Sequence, residues 1–194
     1  GTLSSVNSAL AGGGVTLLNT TTVPGNLDYV DFTSSIISST YDEYWIFWYQ
    51  IHNNNENEFL FNFSHNGGTT WSHKTSTTWN AQQPLNAGTG DFSYQGNMDR
   101  SDDTSSQLLT PNIQMDNDCG ISGCLKLFQP SSSTINTWYQ FNSSYQTTSG
   151  QIDHCYGGGY NNNPAQNATN HYRFNVGGST PTMASGTFKI YGIG

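Results

Sequence analysis

The stretch Tyr44-Trp45-Ile46-Phe47-Trp48-Tyr49-Gln50-Ile51 is the most apolar run in the chain and decides the fold class. Aromatic and β-branched residues of this kind favour strands over helices. A run that is apolar at successive positions, and not only at alternate ones, is typical of a central strand. We therefore predict a central strand that is covered on both faces, or on one face by a neighbouring subunit.

A second strand follows closely. Phe59, Phe61 and Phe63 recur at every second residue, so their side chains share one face of a strand. His65-Asn66-Gly67-Gly68 then ends the strand with residues that favour tight turns. From this spacing we predict that the 44–51 and 58–64 strands are adjacent and antiparallel.

The remaining strand signals are shorter and are separated by polar, Gly-rich stretches. No helix-period stretch exceeds about two turns, and no repeat of about 20–50 residues occurs. Roughly eight to ten short strands make a two-sheet sandwich, so we predict one all-β domain over 15–194. The segment 156–163 is predicted to be a loop. The other predicted strands cover 15–22, 28–32, 75–78, 91–96, 106–109, 124–128, 135–141, 171–176 and 184–193.

The first 14 residues are predicted to be a short arm or linker. They are small and glycine-rich, and they have neither the basic start nor the continuous apolar segment of a secretory signal. No stretch of the chain approaches the roughly 20 apolar residues of a membrane-spanning helix.

The charge balance argues against two classes of partner. Thirteen acidic and five basic residues give a formal charge of −8, and the five cations are scattered along the chain. Binding to nucleic acid depends mainly on cations that displace counterions from phosphates. We therefore predict neither a nucleic-acid nor a membrane partner, whereas carbohydrate and protein partners stay open.

The three cysteines allow two interpretations. Cys119 and Cys124 enclose a loop short enough to close into a local disulfide, and Cys155 would then stay unpaired. Alternatively, all three cysteines are reduced and act as small apolar fillers.

Catalytic and metal-binding motifs are scarce. There is no nucleophile elbow or zinc-protease motif. The acidic residues that could supply paired carboxylates lie in or beside predicted loops, where they keep the surface soluble. His154 and Cys155 are adjacent, so on a strand they point to opposite faces. We predict a protein that is not an enzyme and needs no cofactor. Asp116 and Asp118, with Asp102 or Asp103, are the candidates for a loop calcium ion, although the third oxygen position and the downstream Glu of an EF-hand are missing.

Carbohydrate binding is the main functional alternative to a structural role. Exposed aromatic rings stack on sugars, and Asn, Asp and glycine backbone groups can hydrogen-bond to them. The competing interpretation is that the aromatics fill the core of a chain that is short of Leu and Ile. The candidate sugar contacts, which lie in predicted loops or strand ends, are Trp71, Trp79, Tyr94, Tyr156 and Tyr160.

Four segments form an ordered pattern along the chain. They are Val30-Asp31-Phe32-Thr33-Ser34-Ser35-Ile36, Ser39-Thr40-Tyr41-Asp42-Glu43-Tyr44, Leu125-Lys126-Leu127-Phe128-Gln129-Pro130-Ser131-Ser132-Ser133-Thr134 and Ala184-Ser185-Gly186-Thr187-Phe188-Lys189-Ile190-Tyr191-Gly192-Ile193. In this order they resemble virion proteins of tailed phages from aquatic and cyanobacterial hosts, in which similar modules occur in tail-fibre, head-fibre and capsid-decoration proteins. The resemblance extends from about residue 15 onward and depends on the ordered combination.

This resemblance implies a jelly-roll-like β-sandwich with a structural role on the particle exterior. It also implies a homotrimer, and the N-terminal arm would attach it to other virion proteins. The family supplies no catalytic residues. The alternative function is a lectin-like module at a fibre tip that recognises a host surface glycan, and the Asn-rich loops would carry that specificity.

Overall fold

The computed structural model describes residues 14–83, 88–111, 113, 119–162, 168–178 and 182–194, and every regular element in these ranges is a β-strand. There are thirteen strands. They are β1 (Val15–Thr22), β2 (Tyr29–Thr33), β3 (Glu43–Asn53), β4 (Phe59–Ser64), β5 (Lys74–Gln83), β6 (Asp91–Tyr94), β7 (Ser101–Asp103), β8 (Gln107–Thr110), β9 (Ile121–Phe128), β10 (Trp138–Gln146), β11 (Ile152–Asn161), β12 (His171–Val176) and β13 (Met183–Ile193).

The strands form two antiparallel sheets, and the prediction of a two-sheet β-sandwich is confirmed. The larger sheet has nine strands, in the order β1-β13-β3-β9-β10-β11-β5-β6, with β7 paired to β5 as well. The smaller sheet has four strands, in the order β2-β12-β4-β8.

Eight of these strands have the connectivity of a jelly roll. In chain order, each of these strands lies in the other sheet from the strand before it, except that β8 follows β4 within the smaller sheet. The eight strands are β1, β2, β3, β4, β8, β9, β12 and β13. Four strands of the larger sheet, β1-β13-β3-β9, thereby form one half of a jelly roll, and β2-β12-β4-β8 form the other half.

The remaining strands are two insertions in this frame. One insertion, β5 to β7, lies between β4 and β8, and the other, β10 and β11, lies between β9 and β12. The two insertions join because β11 pairs with β5, and together they extend the larger sheet beyond β9.

The core between the sheets is aromatic. Trp48 of β3 packs against Phe59 of β4 with ring centroids 5.6 Å apart, and Phe174 of β12 packs against Phe188 of β13 at 5.4 Å. All four rings are buried. Burial of large apolar rings from both sheets supplies the main force that holds a sandwich together.

The strand at 44–51 is central, as predicted, since β3 lies between β13 and β9. Its inner face, which carries Tyr44, Ile46 and Trp48, is buried in the core. Its outer face carries Trp45, Phe47 and the exposed Tyr49, so within this chain only one face is covered by the second sheet.

The predicted pairing of the 44–51 and 58–64 strands is wrong. β3 belongs to the larger sheet and β4 to the smaller one, and the loop between them crosses the sandwich. The alternation of Phe59, Phe61 and Phe63 is nevertheless correct, because all three rings are buried against the core. Local alternation reports which face is buried but contains no information about the neighbouring strand.

The predicted loop at 156–163 is also wrong, because residues up to Asn161 belong to β11. Three successive glycines suggested a loop, but β11 is paired along its length with β10 on one side and β5 on the other. Hydrogen bonds from both neighbours therefore override the low strand preference of glycine.

Of the predicted arm, residues 1–13 lie outside the described part of the chain. No helix in the described ranges is long and apolar enough to cross a membrane.

Candidate functional site

The outer face of the extended sheet carries a row of aromatic side chains. Trp79 of β5 pairs with Tyr94 of β6 on one side and with Tyr156 of β11 on the other. Directly opposed residues project from the same face of a sheet. Phe92 of β6 joins this row, since its ring stacks on Trp79 with centroids 5.3 Å apart and planes at 4°.

A second aromatic row lies four residues further along β11. Tyr160 pairs there with Trp138 of β10, and their ring centroids are 4.9 Å apart. The step from Tyr156 to Tyr160 corresponds to about 13 Å along an extended strand. The two rows therefore form the walls of a groove across β5, β11 and β10.

Gly158 forms the floor of this groove. It lies between the two rows and pairs with Thr77 of β5 and Gln140 of β10. Because Gly158 has no side chain, the backbone is accessible between the aromatic walls. The resulting depression measures about 490 Å³ and is lined by Thr77, Trp79, Trp138, Tyr139, Gln140, Phe141, Tyr156 and Gly157 to Gly159. We call it the aromatic groove.

The neighbouring Gly157 points inward and is needed for packing. A Cβ atom at this position would lie 2.5 Å from two ring carbons of Phe141, which is buried under β11. The Phe141 ring thus fills the space that a side chain at 157 would occupy.

The walls of the groove are available to a ligand. Trp79, Trp138 and Tyr156 are 42%, 52% and 45% exposed, although aromatic side chains of this size are usually buried. Contiguous exposed aromatics of this kind mark binding surfaces. None of the described residues that line the groove is charged, so the groove offers stacking surfaces and hydrogen bonds to uncharged groups.

The edges of the groove are held by further hydrogen bonds. The hydroxyl of Tyr94 donates to Asp99 Oδ2, and this bond raises the pKa of Tyr94, which therefore stays protonated. His154 Nδ1 lies 2.8 Å from Ser144 Oγ, next to Tyr156 on β11.

Four of the five predicted sugar contacts are brought together by the structure. Trp79, Tyr94, Tyr156 and Tyr160 lie on β5, β6 and β11, on one face of one sheet, and not in loops. Trp71 lies apart from them, between β4 and β5.

Trp71 borders a depression of about 540 Å³ on the smaller sheet. The guanidinium of Arg173 lies there, 3.6 Å from the Tyr29 ring and 5.1 Å from the Trp71 ring. Arg173 Nε and Nη2 donate to the carboxylate of Asp31 at 2.8 and 2.7 Å. Because this carboxylate neutralises the cation, the depression has no free arginine with which to hold an anion.

Trp138 and Phe92 were missed as groove residues by the sequence interpretation. Alternation along β10 could have identified Trp138, because Tyr139 and Phe141 point into the core and therefore direct Trp138 outward. Phe92 had no such signal, since β6 is only four residues long.

The proposed disulfide is not formed in the structure. The Cys119 thiol donates to Gln146 Oε1, whereas Cys124 pairs with Asn142, four residues away along β10. Four residues of strand span about 13 Å, whereas the Cα atoms of a disulfide lie within about 7 Å. The alternative interpretation, reduced cysteines, describes this structure.

The remaining chemical candidates can be located only in part. Asp116 and Asp118 lie outside the described residues. Within the described ranges no three His, Cys, Asp or Glu side chains are grouped as metal ligands would be. His154 is partly exposed on the outer face and Cys155 is buried, so the two side chains point in opposite directions, as predicted.

Comparison of the chain with protein-family models, curated proteins and solved structures finds no match.

Proposed function

We propose that this chain binds carbohydrate through the aromatic groove, as a non-enzymatic module on the exterior of a phage particle. The observation that carries the proposal is the pair of aromatic rows, Trp79 with Tyr156 and Trp138 with Tyr160, on either side of Gly158. Sugar rings present C–H faces that stack on aromatic rings, and their hydroxyls need hydrogen-bonding groups in between.

The chemistry of the floor fits a sugar better than it fits a purely apolar ligand. Gln140 and Thr77 flank Gly158 and offer an amide and a hydroxyl group between the walls. The spacing of about 13 Å between the rows leaves room for a short oligosaccharide. The overall charge of −8 disfavours polyanionic ligands, since these would be repelled by the protein.

The groove is suited to binding and not to hydrolysis. Glycoside hydrolysis needs two carboxyl groups on either side of the scissile bond. None of the residues described as lining the groove is Asp or Glu. A bound glycan would therefore be held without being cleaved.

The assignment to the particle exterior rests on the ordered resemblance of four segments to tailed-phage virion modules. It gains support from the jelly-roll connectivity, which is common in capsid proteins. On such a particle the N-terminal arm would contact other virion proteins, and the groove would face host surface glycans.

Glycan-array binding of the purified protein and of the Trp79→Ala and Trp138→Ala variants tests the proposal. Each stacked ring contributes about 0.5–1.5 kcal/mol, so each variant should bind about 2- to 13-fold more weakly than the parent. Tyr49→Ala is the matched control, since Tyr49 is exposed to the same degree on the same sheet face, outside the groove. No binding above background to a broad array or to whole host cells would contradict the proposal.

A second candidate function is purely structural, with the chain forming a homotrimer. It is favoured by apolar exposure at the sheet edge, where Val15 and Leu17 of β1 are 59% and 50% exposed. Exposed edge strands readily pair with or pack against another chain. Light scattering coupled to size exclusion should give a trimer that Leu17→Lys weakens. A stable monomer that binds no virion component would argue against this function.

A further inference from the structure

Lys74, at the start of β5, is a buried cation without an ion-pair partner among the described residues. Its side chain is 0% exposed. The amine Nζ donates to Asn62 Oδ1 at 2.7 Å and to the backbone oxygens of Ser72 and Thr104 at 2.8 and 3.3 Å, and it lies 5.1 Å from the Phe63 ring centroid. A lysine buried among neutral groups is costly to keep charged.

Asn62, the nearest partner, lies on β4 in the opposite sheet and is only 3% exposed. Its Oδ1 accepts a second hydrogen bond, from the backbone N–H of Phe63 at 3.0 Å. Its Nδ2 donates to Ser106 Oγ at 3.3 Å. The side-chain amide is therefore held in one orientation beside the amine.

The separation between the amine and the amide carbon follows from these distances. Since a C=O bond measures about 1.23 Å, Lys74 Nζ lies within about 3.9 Å of Asn62 Cγ. This is close to the separation of about 3–3.5 Å from which reacting atoms in a fixed site combine. Burial also lowers the pKa of Lys74 to about 7, so near neutral pH much of the amine carries a lone pair.

We propose that Lys74 and Asn62 form an intramolecular amide bond that links the two sheets. The neutral Nζ attacks Cγ, a C–N bond forms, and Oδ1 becomes an oxyanion. The Cγ–Nδ2 bond then breaks, one proton from Nζ moves to the departing nitrogen, and ammonia leaves. The product is a secondary amide, and no oxidant, reductant or other reactant is needed.

Two features of the site favour this step. The Phe63 N–H already points at Oδ1, where negative charge develops in the transition state, and therefore acts as an oxyanion donor. Burial of both partners excludes water, which would otherwise compete with the amine for the amide carbon.

The amide would join β4 to β5, and hence the smaller sheet to the insertion that carries Trp79. A covalent bond between sheets constrains the unfolded chain as a disulfide does, and reductants do not break it. The inference does not depend on glycan binding.

Intact mass spectrometry of the purified chain, denatured after incubation at pH 8, tests the bond. The expected result is a mass lower than that of the sequence by about 17 Da, the mass of one ammonia. Tandem spectra should locate the loss in a branched peptide that contains positions 62 and 74. Full sequence mass in the incubated protein, with trypsin cleaving after Lys74, would overturn the proposal.

Two variants test whether the Lys74 amine and the Asn62 amide carbon are the atoms that react. Lys74→Arg keeps a cation but removes the attacking amine, and Asn62→Ala removes the amide carbon, so both should retain their full sequence masses. A loss of ammonia that persists in either variant would arise at another asparagine and would contradict the proposal.

Discussion

At position 157 a hydrogen atom occupies the place where any other residue would put a Cβ atom against the Phe141 ring. The separation would be 2.5 Å, which no side chain tolerates without movement of the ring or of β11. Substitution here therefore tests the packing beneath the aromatic groove.

We expect Gly157→Ala to lower the free energy of unfolding by about 1–3 kcal/mol, the usual cost of overpacking a core. Urea denaturation measures this change. Gly88→Ala is the control, because a Cβ atom at position 88 would meet no atom within 4 Å. Equal stability of both variants would show that the Phe141 ring adapts freely.

The thiols allow a second test at the scale of the residue. Since Cys119 contacts Gln146 and Cys124 lies opposite Asn142, the two sulfur atoms are not joined. The melting temperature should therefore be the same with and without a reductant. A melting temperature that falls by several degrees when reductant is added would indicate that the disulfide is present, because loss of a native disulfide typically costs about 2–5 kcal/mol.

At the scale of the element, β2 depends on a single neighbour. It lies at the edge of the smaller sheet and pairs only with β12. Asp31 reinforces this pairing, because its carboxylate accepts two hydrogen bonds from Arg173 and lies 3.1 Å from His171 Nε2.

Asp31→Ala should lower the free energy of unfolding by about 1–3 kcal/mol, as expected for loss of a forked, half-buried charge pair. Backbone amide hydrogen exchange should quicken first in β2, since β12, β4 and β8 keep the backbone hydrogen bonds between them. Asp28→Ala, an exposed carboxylate next to the strand, is the control. Exchange that rises equally in all four strands would contradict a local role for Asp31.

At the scale of the whole molecule, buried thiol and phenol groups make the free energy of unfolding depend on pH in the alkaline range. Burial raises the pKa of Cys155 to about 12 and also raises the pKa values of Tyr139, Tyr145 and Tyr172. The folded protein therefore keeps these protons at a pH at which the unfolded chain, with a cysteine pKa near 9, releases them.

Because the unfolded chain binds fewer protons above pH 9, the free energy of unfolding should fall as the pH rises from 9 towards 12. Thermal unfolding between pH 7.5 and 10.5 measures this fall. Cys155→Ala removes one of the titrating groups, so its curve should be flatter than that of the parent. An equally steep curve would show that Cys155 does not contribute to the loss.

The whole molecule also explains where the candidate site lies. The jelly-roll strands form the frame, whereas the groove lies entirely on the two insertions. The core contacts between Trp48, Phe59 and Phe174 belong to the frame. The insertions add the inward-facing Tyr139 and Phe141 to the same core and present the groove on their outer face. Such a division between frame and binding surface is common in folds that carry many functions.

The amino-acid sequence by itself determined the fold class and most strand positions. β12 was predicted to the residue, and the inward face of β4 followed from alternation, because strand propensity and period-two burial act on neighbouring residues. The five candidate sugar contacts were likewise chosen from residue type. The gathering of four of them on one exposed sheet face was not predictable, since it depends on the pairing of strands that are distant in the chain.

Only the tertiary structure decided which strands are neighbours. The placement of β3 and β4 in different sheets, and the pairing of β11 with β5 that creates the groove, join segments far apart in the chain. Pairing of this kind depends on long-range contacts between whole faces and leaves no local pattern in the sequence. Long-range packing of the two sheets likewise brings Lys74 Nζ within 2.7 Å of Asn62 Oδ1, a contact that no local pattern predicts.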